Sequence, residues 1–295
     1  MSRGTCYGFE IRSELDFSYL RGGTGSPLEI AVAPDPGEPP DDYEHVLDWN
    51  GPVEARVYAR DERYRVWIDG SGWFEIDAEA SRIAVPAAED PVRREERLWG
   101  MPALLAFAAR GDVPLHAAAL EVDGEAVLLA APQAFGKTTL AAAFVGAGHR
   151  LLAEDLTCLR PAETAAVVPG PAMLRLRRDV AAALHPRDAV VVGEDAERVH
   201  LAIAPQGRGD CTPVPLRAIV LLDPTEEDAA LHAADGAEAI RDLLALSFRL
   251  PTTHALGRSF AEFARIVRGT RVWRLSLPHR LDELERTVER IVADA

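Results

Sequence analysis

Ala131-Pro132-Gln133-Ala134-Phe135-Gly136-Lys137-Thr138 decides how the rest of this chain is read. Before the octet stands Glu125-Ala126-Val127-Leu128-Leu129-Ala130, an apolar run with the pattern of a buried strand. After it, Thr138-Thr139-Leu140-Ala141-Ala142-Ala143-Phe144-Val145 predicts a helix closed by Gly146 and Gly148. Strand, loop and helix in that order are what a phosphate-binding loop requires, because loop amides and the helix N-terminus then point at one anion. Lys137 is the one lysine among 32 basic residues. Its slim ammonium suits a narrow nest of amides, where the wide planar fork of arginine fits poorly. Gln133, Ala134, Phe135, Gly136, Lys137, Thr138 and Thr139 are therefore the candidate nucleotide-binding residues. Lys137 is placed to reach the β- and γ-phosphates, and the Thr138 hydroxyl to ligate magnesium. Ala131 and Ala134 stand where such loops often carry glycine, and a methyl there is tolerated unless positive φ is required. Phe135 is expected to turn away from the nucleotide and pack.

Two flanking segments bring titratable groups toward the loop. Downstream, His149-Arg150-Leu151-Leu152-Ala153-Glu154-Asp155 reads as a short strand ending in paired carboxylates. A right-handed strand–helix–strand crossover lays it parallel with the first strand, so Glu154 and Asp155 emerge at the sheet edge that carries the loop. Neighbours on a strand face opposite ways, so the two acids are expected to divide their work between metal and attacking group. Upstream, Pro114-Leu115-His116-Ala117-Ala118-Ala119-Leu120-Glu121-Val122 leads into Asp123-Gly124, a strong two-residue hairpin signal. With Val122 facing Glu125, the register sets His116 opposite Ala131 at the loop mouth. There an imidazole can carry a proton, steady Glu154 or contact a transferred group.

Leu115-His116-Ala117, Asp123-Gly124, Gly136-Lys137-Thr138-Thr139 and Gly148-His149-Arg150-Leu151-Leu152-Ala153-Glu154-Asp155 together resemble HPr kinase/phosphorylase and its shorter HPr kinase-like relatives. The resemblance is clearest over residues 112 to 160. It implies the α/β fold shared with phosphoenolpyruvate carboxykinase, a P-loop kinase with a mixed β-sheet and flanking helices. It also implies ATP and Mg2+ as cofactors and a serine hydroxyl on a peptide or protein as acceptor. Lys137 and Thr138 match the phosphate and metal groups, and His116 matches the active-site histidine. Glu154 falls on the first family aspartate, the base, and Asp155 on the second, which is associated with the metal. The chain departs from the family at Glu154, whose extra methylene moves the carboxylate by about one C–C bond, and in lacking Gly-x-Ser-Gly in the loop. No copy of the segment that supports the reverse reaction is found, so reversal is not expected.

The expected protein is thus a serine kinase-like phosphotransferase. The alternatives are a nucleotide-binding regulator that moves no phosphate and a small-molecule kinase. A GTPase is disfavoured, since the chain holds no second lysine with which to build Asn-Lys-x-Asp. A net charge of −15 argues against a nucleic-acid partner. No apolar run approaches the length of a membrane span and no signal segment opens the chain, from which a cytoplasmic location is expected. Homo-oligomerisation stays open. Cys6, Cys158 and Cys211 are scattered and are expected to be reduced, with Cys158 buried just past the acidic strand end.

Along the chain, 48% hydrophobic content is ample for a core. Residues 1–100 are expected to form a β-rich module and 101–295 the ATP-binding catalytic domain. In the former, Ala55–Ala59, Tyr64–Ile68 and Trp73–Ile76 alternate as strands around Asp69-Gly70-Ser71-Gly72, with Trp67 and Trp73 read as hairpin core. Residues 33–42, rich in proline and acid, should be an exposed loop, and Leu98 to Ala109 one linking helix. Further on, Met173-Leu174-Arg175-Leu176-Arg177 reads as a strand with two arginines on one face. Together with Arg198 these can hold a γ-phosphate or an acidic peptide, although most arginines of so arginine-rich a chain are solvated. Leu216 to Asp223 reads as a buried strand stopped by Pro224, and Leu281, Leu284, Val288 and Ile291 predict a terminal amphipathic helix.

Overall fold

The computed structural model describes residues 2–34, 37–39, 41–51, 53–87, 90–184, 186, 189–203, 211–249 and 253–295. It shows a mixed α/β chain with three sheets. The first half supplies β1 (Ser2–Cys6), β2 (Phe9–Ser13), β3 (Ser26–Val32), β4 (Glu44–Asn50), β5 (Glu54–Arg60), β6 (Arg63–Ile68), β7 (Gly72–Ile76) and β8 (Arg82–Val85). They form one eight-stranded sheet in the order β1-β2-β3-β8-β7-β6-β5-β4. The alternating pattern of β5 to β7 is an antiparallel meander, in which Trp67 and Trp73 face each other directly. Trp73 is buried, and the Arg56 guanidinium lies 4.9 Å from the centre of the Trp67 ring, so both indoles have structural partners. Of the acidic loop at 33–42, residues 35, 36 and 40 lie outside the described residues, and Pro34, Gly37, Glu38, Asp41 and Asp42 are exposed.

The expected single helix from Leu98 to Ala109 is two helices, α1 (Pro91–Leu98) and α2 (Met101–Ala109). Trp99 caps the first and Gly100 the second, and Pro102 explains the break: lacking an N–H, it suits the opening turn of a helix and not its interior.

The second half continues with β9 (Val113–Val122), β10 (Glu125–Ala130), α3 (Lys137–Gly146), β11 (Arg150–Ala153), β12 (Leu156–Arg160), β13 (Ala166–Val168), β14 (Met173–Arg177) and α4 (Arg178–Leu184). There follow β15 (Ala189–Glu194), β16 (Arg198–Ile203), β17 (Val214–Thr225), β18 (Ala230–Ala233), α5 (Gly236–Leu246), α6 (Thr253–Gly269), β19 (Arg271–Pro278) and α7 (Leu284–Asp294). The central sheet runs β10-β9-β12-β13-β17-β19-β18, with β11 also on β9 and β10 also on β17; β14-β16-β15 form a small third sheet. The β9–β10 hairpin has Val122 facing Glu125 and Ala117 facing Ala130, the register read from Asp123-Gly124. β11 runs in the direction of β10, but β9 lies between them, antiparallel to both.

Strict alternation sends each central strand's side chains to two cores. Ala118, Leu120 and Val122 of β9 and Val127 and Leu129 of β10 meet α3 and α7 on one face. Val113, Leu115, Ala117 and Ala119 of β9 with Ala126, Leu128 and Ala130 of β10 meet Ala239, Leu243, Phe263 and Ile266 of α5 and α6 on the other. β17 changes parity at a register shift between Leu216 and Ala218: Val214 and Leu216 face the second core, then Ile219 and Leu221.

Two expectations are corrected at the ends of elements. Pro224 does not stop its strand, which runs to Thr225 with Pro224 facing Leu277 of β19. Beyond Leu221 the strand no longer pairs β10, so a residue without an N–H is tolerated there. Leu281 is not on the terminal helix but in a short 3-10 turn, Leu281–Glu283, and is 40% exposed, whereas Leu284, Val288 and Ile291 are buried as the spacing predicts.

Candidate functional site

The loop between β10 and α3 closes through two residues in the left-handed region, Ala134 at φ 67° and Gly136 at φ 86°. A Cβ on Gly136 would also stand 3.0 Å from Leu277 Cδ2, so glycine is required there on two counts. Ala134 has no such freedom, and its left-handed backbone is strained. Phe135 packs against the core that α3 shares with Leu275 and Leu277, as expected. Gln133 and Ala134 are exposed and Thr139 is half-buried. No side chain caps the N-terminus of α3, leaving the amides of its first turn to another acceptor.

Lys137 opens the helix and is buried, its stem folded back along the loop. Its ammonium donates to the carbonyls of Ala131 at 2.8 Å and Pro132 at 2.9 Å, and lies 2.9 Å from Nε2 of His116. Those three partners match its three N–H bonds. Burial pulls the ammonium's pKa down, against the pull of Asp155 and Glu154. Burial likewise depresses His116, aided by Lys137 and opposed by Asp155. A neutral imidazole that accepts at Nε2 carries its proton on Nδ1, which faces Asp155 Oδ1 at 3.4 Å.

Glu154 and Asp155 lie in the two-residue bend between β11 and β12, past the strand end, so strand alternation does not part them; both reach Arg175, yet their surroundings differ. Glu154 is buried and saturated: its carboxylate accepts from the Thr138 hydroxyl at 3.2 Å, the Arg175 amide at 3.3 Å and Arg175 Nε at 3.1 Å. Asp155 has a side chain 46% exposed and lies between His116 and Arg175 Nη2, the latter at 3.6 Å. Burial raises the Glu154 pKa, with Arg175 opposing. For Asp155, burial also pushes upward, but Arg175, His116, Lys137 and Arg198 outweigh it and hold the carboxyl low.

Arg175, expected with Arg177 and Arg198 as a candidate holder of a γ-phosphate or an acidic peptide, instead binds the two acids. The two strand arginines part company: Arg177 is exposed and pairs with Asp179, whereas Arg175 bridges both acids. Glu154 raises its pKa further, so it is a permanent cation at this position. Arg198 on the adjacent strand donates to the Arg175 carbonyl at 3.2 Å. The signal present in the sequence was an arginine amid leucines, Leu174-Arg175-Leu176, whose neighbours both bury fully.

Thr138 and the two carboxylates offer hard oxygen donors of the kind Mg2+ prefers. Among the described residues no group of three His, Cys, Asp or Glu is arranged to hold a metal alone. Mg2+ commonly binds through one or two carboxylates with substrate phosphates and water, so these donors fit it. Cys6, Cys158 and Cys211 form no disulfide and are buried. No helix among the described residues is long and apolar enough to cross a membrane.

No family model matches the chain, and no curated protein matches it. Among solved structures, the Hpr(Ser) kinase/phosphatase from Coxiella burnetii aligns over 62% of this chain and 99% of that chain, at 13% identity and a TM-score of 0.32. This is a distant structural likeness.

Proposed function

We propose that the chain is a P-loop kinase that uses ATP and Mg2+ to transfer the γ-phosphoryl group to a hydroxyl, serine by preference, of a peptide or protein. One observation carries the reading: Lys137, Thr138, His116, Glu154 and Asp155 come from three separate stretches of chain and meet beside an uncapped helix N-terminus. The loop amides and Lys137 would cradle the polyphosphate and stabilise charge on the group in flight. Mg2+, held by Thr138 and one carboxylate of the acidic pair, would neutralise charge on the transferred phosphate. His116 and the other acid would orient the acceptor hydroxyl and take its proton.

The test is direct. Wild-type protein should move label from γ-labelled ATP onto serine peptides, and Lys137→Ala should abolish transfer and weaken ATP binding. Full transfer by Lys137→Ala would overturn the reading. A second reading, a nucleotide-binding regulator, is favoured by the three internal partners that already satisfy Lys137. Phosphate moved per enzyme, counted with serine peptides and with water as acceptor, separates the two: the kinase turns over many times, and the regulator binds ATP and transfers none.

A further inference from the structure

We infer that the acidic pair divides its work in the order opposite to that implied by the sequence resemblance: Asp155, with His116, faces the acceptor hydroxyl, while Glu154 serves the Thr138 side of the site. This allotment rests on the proposed kinase reading and deepens it.

The argument is geometric. Magnesium in a phosphate-binding loop shares the loop hydroxyl, so the carboxylate nearest that hydroxyl is the one placed to act on the metal side. That hydroxyl is Thr138 Oγ1, and its partner is Glu154 Oε1 at 3.2 Å. The Glu154 carboxylate is held in this pose by the Arg175 amide and Nε, and its side chain is 2% exposed. A group so enclosed and so occupied has no open path to a bulky acceptor. Asp155 is the reverse case. Its side chain is 46% exposed, and its Oδ1 stands 3.4 Å from His116 Nδ1. His116 in turn reaches Lys137 through Nε2, so Asp155, His116 and Lys137 form a chain running from the open side of the site to the loop. A hydroxyl that approaches from solvent meets Asp155 first. The extra methylene of glutamate also fits this division: the longer side chain spans from the strand end to the loop hydroxyl, while the shorter aspartate stays at the mouth. Arg175 holds both acids in place, which makes it a positioning residue.

The step itself balances simply. The acceptor oxygen forms a bond to the γ-phosphorus as the bond from that phosphorus to the β,γ-bridging oxygen breaks; ADP leaves, and the hydroxyl proton passes to the Asp155 carboxylate.

The experiment compares Glu154→Gln, Asp155→Asn and Thr138→Val with wild type, using the nonhydrolysable analogue AMP-PNP with and without Mg2+ and, separately, transfer of label to serine peptides. Glu154→Gln and Thr138→Val should lose the gain in AMP-PNP affinity that Mg2+ confers, by about tenfold or more. Asp155→Asn should keep that gain within about threefold and lose transfer by about 100-fold or more. Thr138→Val guards against a folding artefact at the buried Glu154, since it removes the same contact from the other side. Loss of the Mg2+ gain in Asp155→Asn with retention in Glu154→Gln overturns the allotment and leaves the kinase reading intact, and so does equal loss in both. Wild-type protein that binds no AMP-PNP with or without Mg2+ overturns the kinase reading and the allotment with it.

Discussion

Side chain by side chain, the site is a set of polar groups made permissible by each other. Glu154 without Arg175 would be a buried carboxylate lacking its cation, and removing one partner of a buried pair costs about 3–5 kcal/mol because the other is left uncompensated. Ala134 is the one loop residue whose identity works against its backbone: an L-residue in the left-handed region pays about 1–2 kcal/mol, and glycine recovers that while adding about 0.5–1 kcal/mol of unfolded-state entropy. Ala134→Gly should therefore raise stability by roughly 0.5–1 kcal/mol in urea titrations. A lower midpoint in the variant would show that the methyl makes a compensating contact. Local reasoning from sequence could name alanine at a glycine position, but whether positive φ was needed there depended on how the loop closes.

Among the elements, α3 matters most, because it carries Lys137 and Thr138 and fixes their height above the sheet. Its apolar face is anchored by Leu140, Ala141, Phe144 and Val145, all fully buried. The small side chains let the helix lie close to β9 and β10, and Phe144 fills the remaining volume with its ring 5.4 Å from that of His149. Phe144→Ala should cost about 3–5 kcal/mol of unfolding free energy by urea titration. A loss below about 1 kcal/mol would mean that the core collapses into the vacated space. Element types and the hairpin register were legible from sequence, because a two-residue Asp-Gly turn dictates pairing and alternation dictates faces. Element ends were less so: Pro102 split a helix, and Pro224 was absorbed by a strand bonded on one side only.

Across the chain as a unit, α1 of the first half and the site are tied together at His200. It faces Arg175 in the β14–β16 ladder, its Nδ1 lies 2.6 Å from Glu96 of α1, and its Nε2 lies 3.1 Å from Asp195. Glu96 also accepts from the Tyr19 hydroxyl at 2.9 Å, so first-half and second-half elements share one network. Burial lowers the His200 pKa, but the hydrogen bonds to Glu96 and Asp195 outweigh it and raise the value above 6.5. The folded chain thus holds this proton more tightly than the unfolded chain. The resulting stability is complete below the unfolded value and is lost as pH rises through the folded one. His200→Gln should destabilise by about 1–3 kcal/mol near pH 5.5 and by clearly less near pH 9, read as urea midpoints. An equal loss at both pH values would show that the ring acts by packing and not by charge.

The sequence by itself determined what neighbouring residues decide: a strand–loop–helix around the only lysine, a hairpin that carries His116 to the loop mouth, and two acids just past a strand end. These follow from periodicity and turn chemistry, which act over a few residues. Only the tertiary structure decided which acid meets Thr138, that Arg175 and not Arg177 enters the site, and that β9 separates β10 from β11. Those outcomes depend on how distant strands order and cross in space, and no local pattern carries that information.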